Sequence, residues 1–127
     1  MAVVILIDDD VDLIEANRAV LAARGFIVRT ALNAVEARQC LAAGVPDLVV
    51  LDVMMETPTV GFDLAREIHK AAPKLPILML TGLREAMDVP FQFGPDETWL
   101  PVTQFLEKPF SSSALAEKVA NILKGGK

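Results

Sequence analysis

Hydrophobic positions along the chain alternate between short β-rich runs and stretches with helical spacing. The run Val3-Val4-Ile5-Leu6-Ile7 is continuous and mostly β-branched, which is typical of a strand buried on both faces. Four further short segments with apolar residues predict strands at residues 26–30, 47–51, 76–80 and 104–107. The pattern therefore predicts five strands.

The segments between these runs carry helical spacing and helix end signals. Residues 12–24 form the first predicted helix, and Gly25 is a typical stop after it. The predicted apolar face of this helix consists of Leu13, Ala16, Val20 and Ala23. Asn33, with Glu36 three residues later, predicts a capping-box-like start for a second helix, which ends at Gly44.

Two more helices follow the same rules. Residues 61–72 form a third predicted helix, which Pro73 ends. A last helix is predicted after the N-cap candidates in the serine run 111–113. Its predicted apolar face consists of Leu115, Val119 and Ile122.

The alternation of strands and helices predicts right-handed crossovers and a parallel sheet covered on both faces. The predicted fold class is α/β, with a doubly wound five-stranded sheet in the order 2-1-3-4-5. The stretch 84–103 breaks this pattern, because its three prolines and Gly94 are incompatible with a regular helix. We expect at most a short helix at 83–87, so the region between the fourth and fifth strands is irregular.

Length and composition bound the class of protein. The 127 residues, 53% of them hydrophobic, are expected to form one domain over residues 1–127. The net charge of −5 argues against direct binding to nucleic acid, and the longest apolar run is too short for a membrane span. The single cysteine, Cys40, excludes an internal disulfide and favours the cytoplasm.

Polar side chains gather where the predicted strands end. They are Asp8, Asp9 and Asp10 after the first strand, Asp52 after the third, Thr81 after the fourth and Lys108 after the fifth. Open α/β sheets bind ligands at this carboxyl edge, where the ends of the first and third strands are neighbours. Carboxylates so close together repel unless a cation or a proton intervenes, and Mg²⁺ suits such oxygen ligands.

Each of these residues alone has an ordinary structural explanation. An aspartate after a strand is often a helix N-cap, and Asp10 or Asp12 fits that role for the first helix. Thr81 alone is typical of a turn, and Lys108 before Pro109 is typical of a solvated surface lysine. Together, an aspartate nucleophile, a divalent metal, a hydroxyl donor and a lysine form a phosphoryl-transfer site.

Four segments carry this pattern in order along the chain. They are Ile5-Leu6-Ile7-Asp8-Asp9-Asp10, Leu48-Val49-Val50-Leu51-Asp52-Val53-Met54-Met55, Leu78-Met79-Leu80-Thr81-Gly82 and Phe105-Leu106-Glu107-Lys108-Pro109-Phe110. Together they resemble the response-regulator receiver domain, the phospho-acceptor module of two-component signalling. The resemblance covers the whole chain and implies a flavodoxin-like, chemotaxis-regulator-like fold. It also implies a signalling switch that catalyses its own phosphorylation and slow dephosphorylation, and not an enzyme with a free substrate.

The resemblance implies a role for each residue of the site. Asp52 accepts the phosphoryl group in such a domain. Asp8 and Asp9 hold Mg²⁺ together with Asp52 and the backbone carbonyl of Met54. Thr81 is then the switch hydroxyl.

Three residues near the end of the chain complete the implied machinery. Lys108 pairs with the phosphate, Phe105 is the aromatic switch residue, and the bond before Pro109 is cis. The implied partners are a histidine kinase or a phosphotransfer protein and an unknown downstream protein, with a monomer or a weak homodimer as the assembly. A chain that starts at Met1 and ends just after the last helix indicates either a receiver that acts alone or one excised from a longer protein.

Two segments depart from the family pattern. Glu56 stands where the family has a proline, in a loop one residue longer than usual, and we interpret this as harmless variation. The interval from Thr81 to Lys108 is also longer than usual and contains the prolines of 84–103. This segment either presents a different output surface or is a long loop without a regulatory role.

Two rival functions stay open from the residues alone. Asp8 and Asp10 have the one-residue gap of a Mg²⁺-dependent aspartyl phosphatase, although Asp12 departs from the pattern of that family. A degenerate receiver would instead act as a phosphate-independent scaffold. Outside the site, His69 is interpreted as a cation at the end of the third helix and Cys40 as a small packing residue.

Met54 and Leu83 are apolar at the two positions that tune dephosphorylation in the family. Because an apolar side chain does not orient the attacking water, we predict a long-lived phosphorylated state. Met54→Asn and Leu83→Glu should each speed the loss of the phosphoryl group severalfold, measured as decay of the phosphorylated mass. Hydrolysis that accelerates in neither variant would count against this prediction.

Overall fold

The computed structural model describes residues 2–52, 58–82, 103–108 and 110–124 of the chain. Within these residues, five strands and four helices follow the predicted alternation. The strands are β1 (Val3–Ile7), β2 (Ile27–Ala31), β3 (Leu48–Asp52), β4 (Ile77–Gly82) and β5 (Thr103–Lys108). The helices are α1 (Val11–Ala23), α2 (Ala34–Ala43), α3 (Pro58–Ala71) and α4 (Ser112–Leu123).

The five strands form one parallel sheet in the order β2-β1-β3-β4-β5. This confirms the predicted doubly wound α/β fold. The strand order reverses at β1, which pairs with β2 on one side and with β3 on the other. At such a reversal the helices that follow the two strands leave toward opposite faces, which opens a crevice at the carboxyl edge.

Both faces of the sheet are buried, as the continuous apolar run of β1 predicts. Ile5 and Ile7 belong to one apolar cluster, whereas Val4 and Leu6 belong to a second. The first cluster includes residues of α2 and α3, and the second includes residues of α1 and α4. Since a fully buried aliphatic side chain contributes about 1.5–3 kcal/mol, burial on both faces drives the assembly of the sheet.

Polar side chains start three of the helices. The accepting groups are Asp10 for α1, Asn33 for α2 and Ser111 for α4, with N–O distances from 2.9 to 3.1 Å. Glu36 also accepts a hydrogen bond from the backbone N–H of Leu32 at 2.8 Å. The capping-box-like start of α2 is thereby confirmed, and of the two cap candidates for α1, Asp10 is the one used.

The buried face of α1 differs from the predicted one. Ala16 and Ala23 are exposed, whereas the buried residues are Ile14, Asn17 and Leu21. The larger side chains of Ile14 and Leu21 bury more apolar area than alanines do, so the helix turns this row toward the sheet. The predicted apolar face was therefore wrong at Ala16 and Ala23, whereas Val20 packs against the cluster as predicted. The polar Asn17 interrupts the row of residues that is most buried.

The ends of several elements also differ from the prediction. Helix α3 begins at Pro58 and not at Gly61, because proline is well suited to the first turn of a helix. Strand β2 is shifted one residue along the chain, and β3 and β5 extend to Asp52 and Lys108. The last two extensions are continued parallel pairing with β4.

Cys40 is a packing residue, as predicted. Its partly buried thiol lies against the cluster under α2 and donates to the backbone oxygen of Thr30 at 3.6 Å. Arg29 of β2 donates to the carbonyl oxygens of Cys40 and Gly44 at 3.1 and 3.4 Å. A cation at the carbonyl end of a helix is favourable, so β2 ties down the end of α2.

Two predictions about the middle of the chain lie outside the described residues. They are the short helix at 83–87 and the irregular stretch up to residue 102. Of the helices in the part of the chain that the structure describes, none combines the length and the apolar character that crossing a bilayer requires.

Removal of the α2 cap by Asn33→Ala should lower the free energy of unfolding by about 1 kcal/mol, because the backbone N–H of Glu36 loses its acceptor. Urea denaturation measures this change. Gln39→Ala, at an exposed position of the same helix, is the matched control and should change stability by less than about 0.5 kcal/mol. Equal unfolding midpoints for Asn33→Ala and the unmodified chain would contradict a stabilising cap.

Candidate functional site

The register of the central strands brings two of the predicted site residues together. Ile7 of β1 lies opposite Leu51 of β3, so the next residues, Asp8 and Asp52, are neighbours at the carboxyl edge. Both are nearly buried, with 3% of Asp8 and 4% of Asp52 exposed. Two carboxylates therefore lie side by side at the reversal of strand order, with little access to water.

Asp9 forms an acidic cluster with these two residues. One carboxylate oxygen from each of Asp8, Asp9 and Asp52 lies within 4.8 Å of the other two. Asp9 is exposed, so the cluster opens toward solvent on that side. The structure thus brings together three carboxylates that the sequence places at the ends of β1 and β3.

The turn after β1 positions Asp8 and leads directly into α1. The backbone N–H of Asp8 donates to the carbonyl oxygen of Ala31 in β2 at 3.1 Å. Its carboxylate accepts from the backbone N–H of Asp10 at 3.0 Å, and Asp10 in turn caps α1 through Leu13. The N-terminus of α1, whose partial positive charge favours carboxylates, therefore starts next to the cluster.

Strand pairing places Thr81 and Lys108 on the same edge. Thr81 comes one residue after Leu80, which lies opposite Asp52. Lys108 ends β5 opposite Gly82. In the spatial order β1, β3, β4 and β5, the polar residues at or next to the strand ends are therefore Asp8, Asp52, Thr81 and Lys108.

The donor set of the acidic cluster fits a hard divalent cation. Mg²⁺ is usually bound through one or two carboxylates and keeps several of its waters. Asp8 and Asp52 offer oxygens on the shielded side, and the exposed Asp9 lies where solvent reaches the cluster. A cation there also offsets the repulsion between the carboxylates.

The sequence did not single out one buried polar contact near the site. The hydroxyl of Ser112, the first residue of α4, donates to the side-chain oxygen of Asn17 at 2.8 Å. Asn17 is 2% exposed. The sequence does contain a signal for the burial of Asn17, because this polar residue lies at helical spacing between two large aliphatic residues, Ile14 and Leu21.

A comparison of the sequence with protein families identifies the class of domain to which this chain belongs. The family described as the response regulator receiver domain matches residues 4–120. The chain belongs to this family. Receiver domains are signalling switches of two-component systems, which agrees with the resemblance carried by the four segments.

Curated relatives of this receiver domain are response regulators. The transcriptional regulatory protein CpxR homolog of Haemophilus influenzae is 35% identical over 126 residues, which are 98% of this chain and 51% of that protein. Response regulator MprA of Mycobacterium ulcerans is 30% identical over 123 residues, with 95% and 50% covered. The chain therefore spans about half the length of these curated relatives.

Solved receiver structures have the same fold. The receiver domain of NtrX from Brucella abortus is 28% identical, has a TM-score of 0.74 and is matched over 96% of this chain and 98% of that one. A CheY-like receiver domain protein from Methanospirillum hungatei has a TM-score of 0.79 over 98% of this chain and 94% of that one. At 20% identity, this second likeness shows the fold alone.

The remaining predicted residues of the receiver domain lie elsewhere. Met54, Leu83 and Pro109 lie outside the described residues. Phe105 is in the middle of β5, opposite Met79. His69 lies in the last turn of α3, a helix that runs back from the carboxyl edge, so it is at the opposite end of the sheet from the acidic cluster.

Replacement of the exposed cluster carboxylate by Asp9→Asn should weaken Mg²⁺ binding by about tenfold or more, because affinity depends on the number of charged ligands. A metal that binds the folded state raises the melting temperature. Thermal unfolding with increasing MgCl₂ therefore measures the loss as a smaller upward shift than in the unmodified domain.

The matched control for this titration is Asp12→Asn. Asp12 is an exposed aspartate in the first turn of α1, outside the acidic cluster. This variant should keep the full shift of the melting temperature. The same shift in Asp9→Asn and Asp12→Asn would show that the cluster does not hold the metal.

Proposed function

We propose that this domain accepts a phosphoryl group on Asp52 from a phosphohistidine donor, with Mg²⁺ bound at the acidic cluster, and so switches a protein-interaction surface. The observation that carries the proposal is the nearly buried carboxylate of Asp52, which shares the cluster with Asp8 and Asp9 at the carboxyl edge. Membership of the receiver family supports the same reaction.

The proposed reaction starts at a carboxylate oxygen of Asp52. This oxygen attacks the phosphorus in line, and an acyl phosphate forms on the aspartate. The phosphorus–nitrogen bond of the donor breaks, and its electron pair returns to the imidazole nitrogen. Since Asp52 is 4% exposed, few waters compete with it for the phosphorus.

The other residues of the edge stabilise the charge that is transferred. Asp8, Asp9 and Asp52, with the backbone carbonyl of Met54, are the proposed ligands of Mg²⁺. When bound, the ion neutralises charge on the phosphoryl oxygens. Lys108 is proposed to pair with another of these oxygens.

The switch is proposed to involve Thr81 and Phe105. The hydroxyl of Thr81 donates a hydrogen bond to a phosphoryl oxygen once Asp52 is modified. Thr81 lies opposite Glu107 in β5, so its movement acts on the strand that also contains Phe105 and Lys108. Strands β4 and β5 are thereby proposed to connect the phosphorylated Asp52 to the protein-interaction surface.

The position of Asp10 supports this reaction over that of an aspartyl phosphatase. Such a phosphatase needs Asp8 and Asp10 together as nucleophile and acid–base group. Asp10 instead accepts a hydrogen bond from Leu13 as the cap of α1, and the cluster contains Asp9 in its place.

The proposal implies partners and a compartment. The donor is a histidine kinase or a phosphotransfer protein, and the recipient of the signal is a downstream protein. We infer a cytoplasmic location from the proposed donor and from the single cysteine, which needs no oxidising compartment.

The test is the intact mass of the chain after incubation with Mg²⁺ and acetyl phosphate. The unmodified chain should gain one phosphoryl group, and Asp52→Asn should gain none because the nucleophile is lost. Asp12→Asn, which removes an exposed aspartate of α1, should behave like the unmodified chain.

Two results would overturn the proposal. Absence of any mass gain with Mg²⁺ or Mn²⁺ would favour the phosphate-independent scaffold. A gain that persists in Asp52→Asn would move the acceptor to another residue.

A further inference from the structure

Helices α1 and α4 are joined by a hydrogen bond between two residues that are far apart in the sequence. The hydroxyl of Ser112 donates to the side-chain oxygen of Asn17 at 2.8 Å, across a sequence separation of 95 residues. Asn17 is 2% exposed and Ser112 is partly buried. Because Asn17 is buried, loss of the Ser112 hydroxyl would leave the side-chain oxygen of Asn17 without this donor, which is costly.

The surroundings of this hydrogen bond are apolar. Ile14 and Leu21 of α1 belong to the same cluster as Leu115 and Val119 of α4. Contacts between aliphatic side chains are non-directional, so they allow two helices to slide or rotate by small amounts. A hydrogen bond between the helices has a preferred length and angle, so it adds a directional constraint on their relative position.

Each end of the bond leads by a short path to the carboxyl edge. On one side, α1 begins at the cap Asp10, whose backbone N–H holds the carboxylate of Asp8. On the other side, Ser112 is the first residue of α4 and follows Lys108 by four residues. Leu106 and Phe110 pack against the same cluster and flank Lys108 in sequence.

We propose that Asn17 is a positioning residue for phosphoryl transfer. Its hydrogen bond to Ser112 holds the end of β5, and with it Lys108, in a fixed position relative to the acidic cluster. This inference rests on the proposed function, in which Lys108 pairs with the phosphoryl group. It assigns to Asn17 and Ser112 a role that involves no contact with metal or donor. Small misplacements of a charged group cost rate because catalysis depends on orientation.

The experiment compares initial phosphorylation rates of full-chain variants over a range of acetyl phosphate concentrations at saturating Mg²⁺. Ser112→Ala removes the donor and should lower the maximal rate by about fivefold or more, with little change in the half-saturating concentration. Asn17→Leu replaces the polar side chain by an apolar one of similar size, and it should give the same loss. Ser112→Thr keeps the hydroxyl and should keep at least half of the rate.

Two controls separate positioning from a general loss of stability. Asn33→Ala destabilises the start of α2, a helix that covers the other face of the sheet from α1 and α4, and should leave the maximal rate unchanged. Ser113→Ala removes an exposed hydroxyl one residue along and should also be neutral. The affinity of Ser112→Ala for Mg²⁺, measured by calorimetry, should stay within twofold of the unmodified chain because the carboxylates do not move.

The outcomes distinguish this inference from the proposed function. If the unmodified chain takes no phosphoryl group, both are overturned. If it is phosphorylated and Ser112→Ala and Asn17→Leu react at the same rate, the positioning role alone is overturned. A loss of rate shared with Asn33→Ala, or a parallel loss of Mg²⁺ affinity, would also overturn it.

Discussion

The pairing of β1 with β3 holds two nearly buried aspartates side by side at the carboxyl edge of the sheet. Asp8 and Asp52 are nearly buried at neighbouring strand ends, where the electrostatic cost of a second carboxylate is larger than in water. The pairing of β1 with β3 and the apolar clusters on both faces of the sheet supply the opposing free energy. Packing on both faces of the sheet thus offsets the cost of placing these carboxyl groups together, and their oxygens stay available at one edge.

The rest of the site is arranged around that charge. Asp10 connects β1 to α1. Its backbone N–H donates to the carboxylate of Asp8, and its side chain accepts from the backbone N–H of Leu13 as the cap of α1. Thr81, next to the last residue of β4, and Lys108, the last residue of β5, lie at the same carboxyl edge. The hydrogen bond between Asn17 and Ser112 joins α1, which follows β1, to α4, which follows β5.

Much of this arrangement could be predicted from the sequence, because strands buried on both faces are continuous apolar runs and their polar ends stand out. The strand order and the gathering of the acidic residues follow from that pattern. The face of α1 could not be predicted, because Asn17 is polar and its partner is remote in sequence. The start of α3 was also missed: the prediction began this helix at Gly61, whereas the helix begins at Pro58, because proline favours a first helical turn.

The bond between Asn17 and Ser112 also has a consequence for how such a domain changes over generations. Replacement of Ser112 alone leaves the buried Asn17 without this hydrogen-bond donor, which is costly. Replacement of both by aliphatic residues restores packing without a donor or an acceptor. Among descendants of this sequence, the two positions are therefore expected to covary, as a polar couple or an apolar couple, although 95 residues separate them.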